Sequence, residues 1–244
     1  FTFMHIHLST VDSTNNVVKA MLRDYSSVIV TADEQTAGRG RNGKEWVGDA
    51  NANVYASFGT RHTQQPSQDY LVAAMAYPSL AVYALLRTLD DSIQIRLKYP
   101  NDIQVNTQDG WAKIAGVLIE HEFVGSRCTA TTIGVGINVQ QLAFPATITQ
   151  LCTSLLAQGI DVSVAEVRNS LLAWFNHFSQ QPPSDVLQEW WNALHIEDKE
   201  IEVRGSSDTW KLERLMDDGR LLVRSITTLE ERIIDNGDTI RYND

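Results

Sequence analysis

Three cations and three glycines fall within the seven residues Gly38 to Lys44, in the run Glu34-Gln35-Thr36-Ala37-Gly38-Arg39-Gly40-Arg41-Asn42-Gly43-Lys44-Glu45-Trp46. Glycine lets a backbone pass close to a ligand or take up φ > 0, and Arg and Lys supply donors and positive charge suited to phosphate or carboxylate oxygens. The chemistry such a loop offers is anion binding. Further along, Lys98 and Lys113 add cations, and Asp102 adds a carboxylate beside Pro100. Cations around an accumulating negative charge, with a base nearby, are what an anionic transition state needs. Taken singly, each has a plainer reading: a solvated arginine-rich turn, a lysine at a strand start, an Asn-Asp turn.

Two phosphate-binding templates match the loop by letter and fail by context. Gly38, Gly40 and Gly43 fit G-x-G-x-x-G, a pattern that must open a helix inside a βαβ unit. Here Glu45 to Asn53 reads as loop and then strand. Gly38 to Lys44 also fits G-x-x-x-x-G-K, but Glu45 stands where the magnesium-binding Ser or Thr belongs, and no helix follows.

With 244 residues, 43% hydrophobic and 20% charged, the chain suits one large domain and one small one. Its two cysteines, Cys128 and Cys152, give neither a disulfide framework nor a C-x-x-C pair, and point to a reducing, cytoplasmic setting. Phe1 to Leu8 lacks the basic and apolar regions of a signal peptide. No apolar run elsewhere reaches the ~18 residues of a membrane span, so a soluble protein without a membrane partner is expected. A formal charge of -10 argues against non-specific nucleic-acid binding. On such a background Arg39, Arg41 and Lys44 fit a small anion better than a polyanion.

The hydrophobic pattern supplies the scaffold for these residues. Residues 3 to 9 alternate as a strand, and Asp12-Ser13-Thr14-Asn15 offers capping side chains to a helix carrying Val17, Val18, Met21, Leu22 and Tyr25. Ser27 to Thr31 is a β-branched run leading into the glycine-arginine loop, and Asn53 to Thr60 forms the next strand. Pro66-Ser67 opens an apolar segment from Tyr70 to Leu89, broken or kinked at Pro78, expected as one broken helix or two helices on the sheet. Ile93 to Leu97 alternates into Lys98-Tyr99-Pro100-Asn101-Asp102, setting Lys98 and Asp102 near a strand end. Asp109-Gly110 and Gly125-Ser126 mark turns between the strands Ile103 to Val105, Lys113 to Phe123 and Arg127 to Val139, an antiparallel meander. Ser163-Val164-Ala165-Glu166 is a capping box, followed by Val167, Leu171, Trp174, Phe175 and Phe178 at helical spacing, core aromatics rather than a ligand stack. After Pro182-Pro183, Ser184 is expected to cap a helix through Leu187, Trp190, Trp191 and Leu194. From Lys199 onward short strands with turns at Asp218-Gly219 and Asn236-Gly237 read as a small β-barrel of about 45 residues.

A resemblance runs through six segments in order: Asp12-Ser13-Thr14-Asn15; Gln35-Thr36-Ala37-Gly38-Arg39-Gly40-Arg41-Asn42-Gly43 with Trp46; Asn51-Ala52-Asn53-Val54-Tyr55; Lys98-Tyr99-Pro100-Asn101-Asp102; Lys113-Ile114-Ala115-Gly116-Val117-Leu118-Ile119-Glu120; and Gly134-Val135-Gly136-Ile137-Asn138. Together they resemble the catalytic domain of biotin protein ligases, in the superfamily that also holds lipoate-protein ligases and octanoyltransferases. The resemblance implies an α+β fold, a mixed and mainly antiparallel sheet with packed helices of the class II aminoacyl-tRNA-synthetase-like kind, over residues 1–196. It implies a small SH3-like β-barrel over 197–244. Tyr99 stands where the family usually has Trp, and Lys44 where many members carry Arg, which keeps the charge without the bidentate fork. Eleven residues precede Asp12, so the expectation is the class without an N-terminal DNA-binding domain, and no DNA partner.

The implied reaction has two steps. Biotin's carboxylate attacks the α-phosphate of ATP to give biotinyl-5′-AMP and pyrophosphate, and a lysine of a biotin carboxyl carrier protein domain then attacks the mixed anhydride. Step one joins an anion to a polyanion, so Arg39, Arg41, Lys44 and the Mg²⁺ that accompanies ATP must neutralise repulsion. No protein-only metal site is expected. The resemblance assigns Ser13, Thr14, Asn15, Gln35, Gly38, Arg39, Lys113 and Gly116 to biotin, with Ser13, Thr14 and Gln35 at its ureido end. Arg39, Arg41, Lys44, Trp46, Asn101, Lys113 and Asn138 fall on the ATP and adenylate side. The catalytic set is Arg39, Arg41, Lys98, Lys113 and Asp102, with Asp102 orienting or deprotonating the incoming lysine. Alternatives are a lipoate-protein ligase on the same fold, an octanoyltransferase, and a biotin-sensing protein without turnover. An octanoyltransferase starts from an activated thioester and has no need of the arginine loop. Monomer and homodimer both fit. The loop's glycines are expected to be hinges that fold Arg39, Arg41 and Trp46 over a hydrolysable acyl-adenylate as a lid.

Overall fold

The alternating segments assemble into a seven-stranded sheet in the computed structural model, which describes residues 4–194, 199–235 and 237–242. Its strands are β1 (Met4–Val11), β2 (Ser27–Gln35), β3 (Asn53–Arg61), β4 (Ile95–Lys98), β5 (Asp102–Thr107), β6 (Gly110–Val124) and β7 (Arg127–Asn138), in the order β1-β2-β3-β7-β6-β5-β4. β1 and β2 are parallel, joined by a crossover that contains α1 (Thr14–Met21). The other neighbours are antiparallel. The sheet is therefore mixed and mainly antiparallel, with packed helices, as expected.

Period-two alternation gives the sheet two different faces. Val54, Ala56 and Phe58 of β3, Ala115 and Val117 of β6, and Ile133, Val135 and Ile137 of β7 join one buried cluster with α2 (Gln68–Leu89), α3 (Val164–Ser179) and α4 (Pro183–Leu194). α1 lies across the opposite face, where Val18 and Leu22 meet Val28, Val30 and Ala130 in a smaller cluster. The glycine-rich positions of β6 and β7 also fall on that second face, leaving it open beside α1.

Three helical expectations change. The apolar segment forms one helix through Pro78, started by Ser67, whose hydroxyl accepts from Tyr70 N. Proline removes one helical donor, but Tyr77, Pro78 and Leu80 are buried, and tertiary packing keeps the helix continuous. α2 is also long and apolar enough to cross a membrane, contrary to the expectation of no such run; 67% of its most apolar stretch is buried within the protein as a core helix. α4 begins at Pro183 rather than after a Ser184 cap, because proline's fixed φ suits a first helical position. The third change is at α1: Ser13 occupies its N-cap position, makes no side-chain cap bond, and Tyr25 lies beyond the helix end. The capping box at Ser163 and Glu166 is present as read.

The C-terminal strands β8 (Glu200–Val203), β9 (Thr209–Leu215), β10 (Leu221–Ser225), β11 (Glu231–Ile234) and β12 (Ile240–Tyr242) form a five-stranded antiparallel sheet. Gly219 turns between β9 and β10 at φ 81°. Asn236, and the boundary between 196 and 197, lie outside the described residues. Trp210, Leu212, Leu221 and Val223 share the buried cluster of α2 and α4, so this sheet is built onto the main core.

The contact with the main sheet runs through the turn carrying Asn101 and Asp102. Tyr99 is 3% exposed; its hydroxyl donates to Gly219 O at 3.0 Å, and its N–H donates to Tyr242 Oη at 3.2 Å. Burial pushes the phenol up to about 12, so the hydroxyl remains a donor at neutral pH. Tyr99→Phe strands a buried carbonyl and is expected to cost about 1–2 kcal/mol, read as a melting midpoint a few degrees lower. An unchanged midpoint would show that this hydroxyl holds nothing together.

Candidate functional site

The alternation that sends Ile133, Val135 and Ile137 to the core turns Gly134 and Gly136 to the open face. Gly116 stands opposite Gly136, and Leu118 opposite Gly134. The result is a strip of bare backbone. The indole of Trp46 lies on it: a Cβ at Gly136 would stand 2.5 Å from Trp46 Cε2, and one at Gly116 2.9 Å from Cζ3. A Cβ at Gly134 would overlap the Asn15 amide oxygen. Glycine here serves close approach of a flat group to the sheet. Above the strip opens a cavity of about 450 Å³, lined by the start of α1, the loop after β2, the β4–β5 turn and part of the segment after β7.

At the α1 end, Gln35 reaches back from the end of β2, and its Oε1 accepts from Thr14 N at 2.8 Å and Thr14 Oγ1 at 3.0 Å. Ser57 Oγ donates to Asn15 Oδ1 at 2.6 Å and lies 2.7 Å from Thr14 Oγ1. Asn15 Nδ2 in turn donates to Glu120 Oε2 at 2.8 Å. Glu120 also pairs with Lys19 at 2.8 Å and with Arg39 at 2.9 Å. Burial opposes its charged form, but hydrogen bonds from Lys19 and Asn15, with the charges of Lys19 and Arg39, outweigh burial and hold the carboxyl below its ordinary range. Arg39 thus reaches the cavity with a counter-charge attached.

The glycine-arginine loop is a small hairpin. Arg39 bridges Glu45, Gly40 N donates to Lys44 O at 2.7 Å, and Trp46 N donates to Gly38 O at 2.9 Å. Asn42 and Gly43 turn its tip at φ 55° and 73°. Gly38 is absent from the cavity wall. A Cβ there would overlap the Trp46 carbonyl, so glycine at this position lets the two arms of the hairpin close. Arg41 Nη1 donates to Asn101 Oδ1 at 3.2 Å, while Asn101 Nδ2 donates to Val117 O at 2.6 Å. These bonds tie the loop to the β4–β5 turn.

Lys113 sits where the β6 ladder is interrupted. The β5–β6 register shifts between Ile103 and Gln104, and β6–β7 pairing begins only at Ala115. The free backbone groups of Lys113 are taken by the later segment: Lys113 N donates to Leu151 O at 2.8 Å, and Thr153 N donates to Lys113 O at 2.9 Å. Lys113 Nζ pairs with Asp102 Oδ1 at 2.6 Å, both side chains largely buried, and lies 5.3 Å from the Trp46 ring centre. Asp102 Oδ2 accepts from Gln150 Nε2 at 3.3 Å. Lys98 is the ladder partner of Asp102, and Asn138 Nδ2 donates to Thr153 O at 3.0 Å. Trp46 Nε1 is buried without a hydrogen-bond partner among the described residues.

Every expected site residue except Gly38 lines this one cavity: Ser13, Thr14, Asn15, Gln35, Arg39, Arg41, Lys44, Trp46, Lys98, Asn101, Asp102, Lys113, Gly116 and Asn138. Five of the lining residues are cations, against the carboxylates of Glu45 and Asp102, on a chain of net charge -10. Phe144, Thr147, Ile148, Thr149, Gln150 and Cys152 were not foreseen at the wall, nor was the bracing by Ser57 and Glu120. The one sequence signal for the first group is that residues 140–153 carry no charge.

A family model described as the Biotin/lipoate A/B protein ligase family matches residues 8–138. The chain is 30% identical over 178 residues to the bifunctional ligase/repressor BirA of Bacillus spizizenii, covering 70% of this chain and 52% of that protein. It is 34% identical over 136 residues to the biotin--[acetyl-CoA-carboxylase] ligase of Paracoccus denitrificans, covering 54% and 53%. The chain spans about half the length of these curated relatives. Among solved structures, the biotin protein ligase from Aquifex aeolicus in complex with biotin and ATP is similar at a TM-score of 0.72 and 25% identity, with 98% of each chain covered.

Proposed function

We infer the activity from the premise that this chain belongs to the Biotin/lipoate A/B protein ligase family: it activates biotin with ATP as biotinyl-5′-AMP and transfers the biotinyl group to a lysine of a biotin carboxyl carrier protein domain. The observation that carries this reading is one cavity holding both five cations and a side-chain-free glycine strip on which the Trp46 indole rests. With the indole lifted, a saturated bicycle with a polar end fits the strip, its ureido group facing Ser13, Thr14 and Gln35. The cations fit the carboxylate and the phosphates.

In the first step a biotin carboxylate oxygen bonds to the α-phosphorus as the bond to pyrophosphate breaks. Arg39, Arg41, Lys44 and Lys113 lower the repulsion between the reactants and stabilise the charge that builds on the phosphoryl oxygens. The lining carboxylates, Glu45 and an Asp102 already engaged by Lys113 and Gln150, fit a Mg²⁺ that arrives on the ATP phosphates rather than one caged by protein. Bound there, Mg²⁺ would neutralise phosphate charge. In the second step the ε-amine of the carrier lysine attacks the anhydride carbonyl and AMP leaves; Asp102 orients that amine or takes its proton. Trp46, moving with its loop to close over the intermediate, keeps water from the anhydride.

The five-stranded sheet from Glu200 onward acts as an SH3-like barrel, with residues 1–196 the catalytic domain and 197–244 the second. The cytoplasm, where ATP and carrier domains meet, is the proposed setting. Intact mass of an apo carrier domain after incubation with the chain, biotin, ATP and Mg²⁺ tests the reading; no mass gain sinks it. Pyrophosphate exchange driven by lipoate and not by biotin would move the chain to the lipoate ligases. Arg41→Gly should speed loss of biotinyl-5′-AMP while changing biotin affinity less, because Arg41 reaches Asn101 on the adenylate side. Losing this charge-assisted contact is worth roughly 1.5–3 kcal/mol. Equal off-rates for wild type and variant would refute that role.

A further inference from the structure

Asp102 is held at both oxygens: Lys113 Nζ takes Oδ1 at 2.6 Å and Gln150 Nε2 takes Oδ2 at 3.3 Å. Gln150 does not hang free. It leads a short strap, residues 150–153, that runs parallel to the interrupted stretch of β6 through Lys113↔Cys152, with the Lys113 backbone bonded to Leu151 and Thr153. Asn138 fixes the far end of the strap by donating to Thr153 O. Gln150 and Cys152, two residues apart as on a strand, both line the cavity, while Leu151 between them is 41% exposed. One strap therefore sets the backbone of Lys113 and a side-chain oxygen of Asp102 together.

Resting on the two-step reading above, this arrangement contains a conflict. Lys113 is needed at the ligand's anionic oxygens, yet in the structure its amine is spent on Asp102. Once an anion draws Nζ away, Oδ1 of Asp102 is left facing the cavity with an amine-sized place beside it. The acceptor lysine brings the same functional group, a primary amine on a four-carbon stem. Asp102 sits where the β4–β5 turn enters β5, so with Lys113 gone the Gln150 hydrogen bond is what fixes the rotation of its carboxylate.

We propose that Gln150 is a positioning residue for the transfer step: it holds Asp102 by Oδ2 so that the acceptor lysine's amine takes the seat at Oδ1 that Lys113 vacates. The resting Lys113–Asp102 pair is an internal stand-in for the acceptor. The bond changes are those of the second step: a new N–C bond forms, the anhydride C–O bond breaks with AMP leaving, and the amine proton passes to Asp102.

The test separates the steps. Gln150→Ala should lower the turnover of carrier biotinylation roughly tenfold more than it lowers pyrophosphate exchange, with KM for the carrier little changed, the scale of one hydrogen bond to a charged group. Hydroxylamine, a nucleophile neutral at neutral pH that needs no seat, should consume biotinyl-5′-AMP about equally in both proteins. Gln150→Glu, which sets two carboxylates together, should depress transfer further. Exchange and transfer falling in equal proportion would overturn the proposal, since that is what general loosening of the loop or fold produces. So would transfer at the wild-type rate in Gln150→Ala. A wild-type chain that exchanges pyrophosphate but modifies no carrier removes the two-step reading, and this proposal with it; normal wild-type transfer with an indifferent variant removes this proposal alone.

Discussion

Lys113→Ala is expected to slow biotin-dependent pyrophosphate exchange by roughly 10²- to 10³-fold, the ~2–4 kcal/mol carried by a preorganised electrostatic group. Two effects combine. A cation proposed to contact the reacting oxygens is lost, and Asp102, largely buried beside it, is left as an uncompensated carboxylate facing an anionic ligand. The second effect can be isolated. In the Lys113→Ala/Asp102→Asn double variant the stranded charge is gone, so exchange should partly recover relative to Lys113→Ala alone. Transfer should not recover, because the group proposed to meet the acceptor amine has been removed as well. Exchange at the wild-type rate in Lys113→Ala would show that this lysine has no part in adenylation.

The legible parts of the site are those where a local period meets a residue with one strong reason to be present. β7 shows this best: Ile133, Val135 and Ile137 alternate with Gly134 and Gly136, and the same pattern that builds the core also bares the strip. The loop cations were visible as charge concentrated on an acidic chain. Pro78 misled because the helix penalty is local, whereas the packing that outweighs it brings α2 against α3 and α4, far along the chain. The packing at Gly38 was illegible for a related reason. It is set by the Trp46 carbonyl on the returning arm of the hairpin, which nothing at position 38 announces. The wall from Phe144 to Cys152 was invisible because it has no period. Its place depends on an irregularity in another strand, the register shift that leaves the Lys113 backbone free to bind it. Gln150 therefore reaches the cavity wall by tertiary accident of β6, and sequence spacing could not single it out.

Gly136→Val tests whether the bare strip is itself the binding surface. A Cβ at this position would meet the Trp46 indole at 2.5 Å, so the ring must lift or the strand must shift. Overpacking of this kind costs about 1–3 kcal/mol, and here the ring has a loop to move with, so most of the strain should appear as displacement of Trp46. Biotinyl-5′-AMP binding is then expected to weaken roughly five- to 150-fold by the same figure, while the melting midpoint changes little, since valine favours a strand and offsets part of the strain. Gly136→Ala should give a smaller loss in the same direction. The coupling to Trp46 is the sharper measurement: in a Trp46→Ala background the ring that the valine strikes is absent, so the further loss caused by Gly136→Val should shrink. An undiminished penalty there would mean that the valine clashes with the ligand directly. No penalty in either background would mean that the ligand does not lie on this strip, and the assignment of the glycines to biotin would have to be given up.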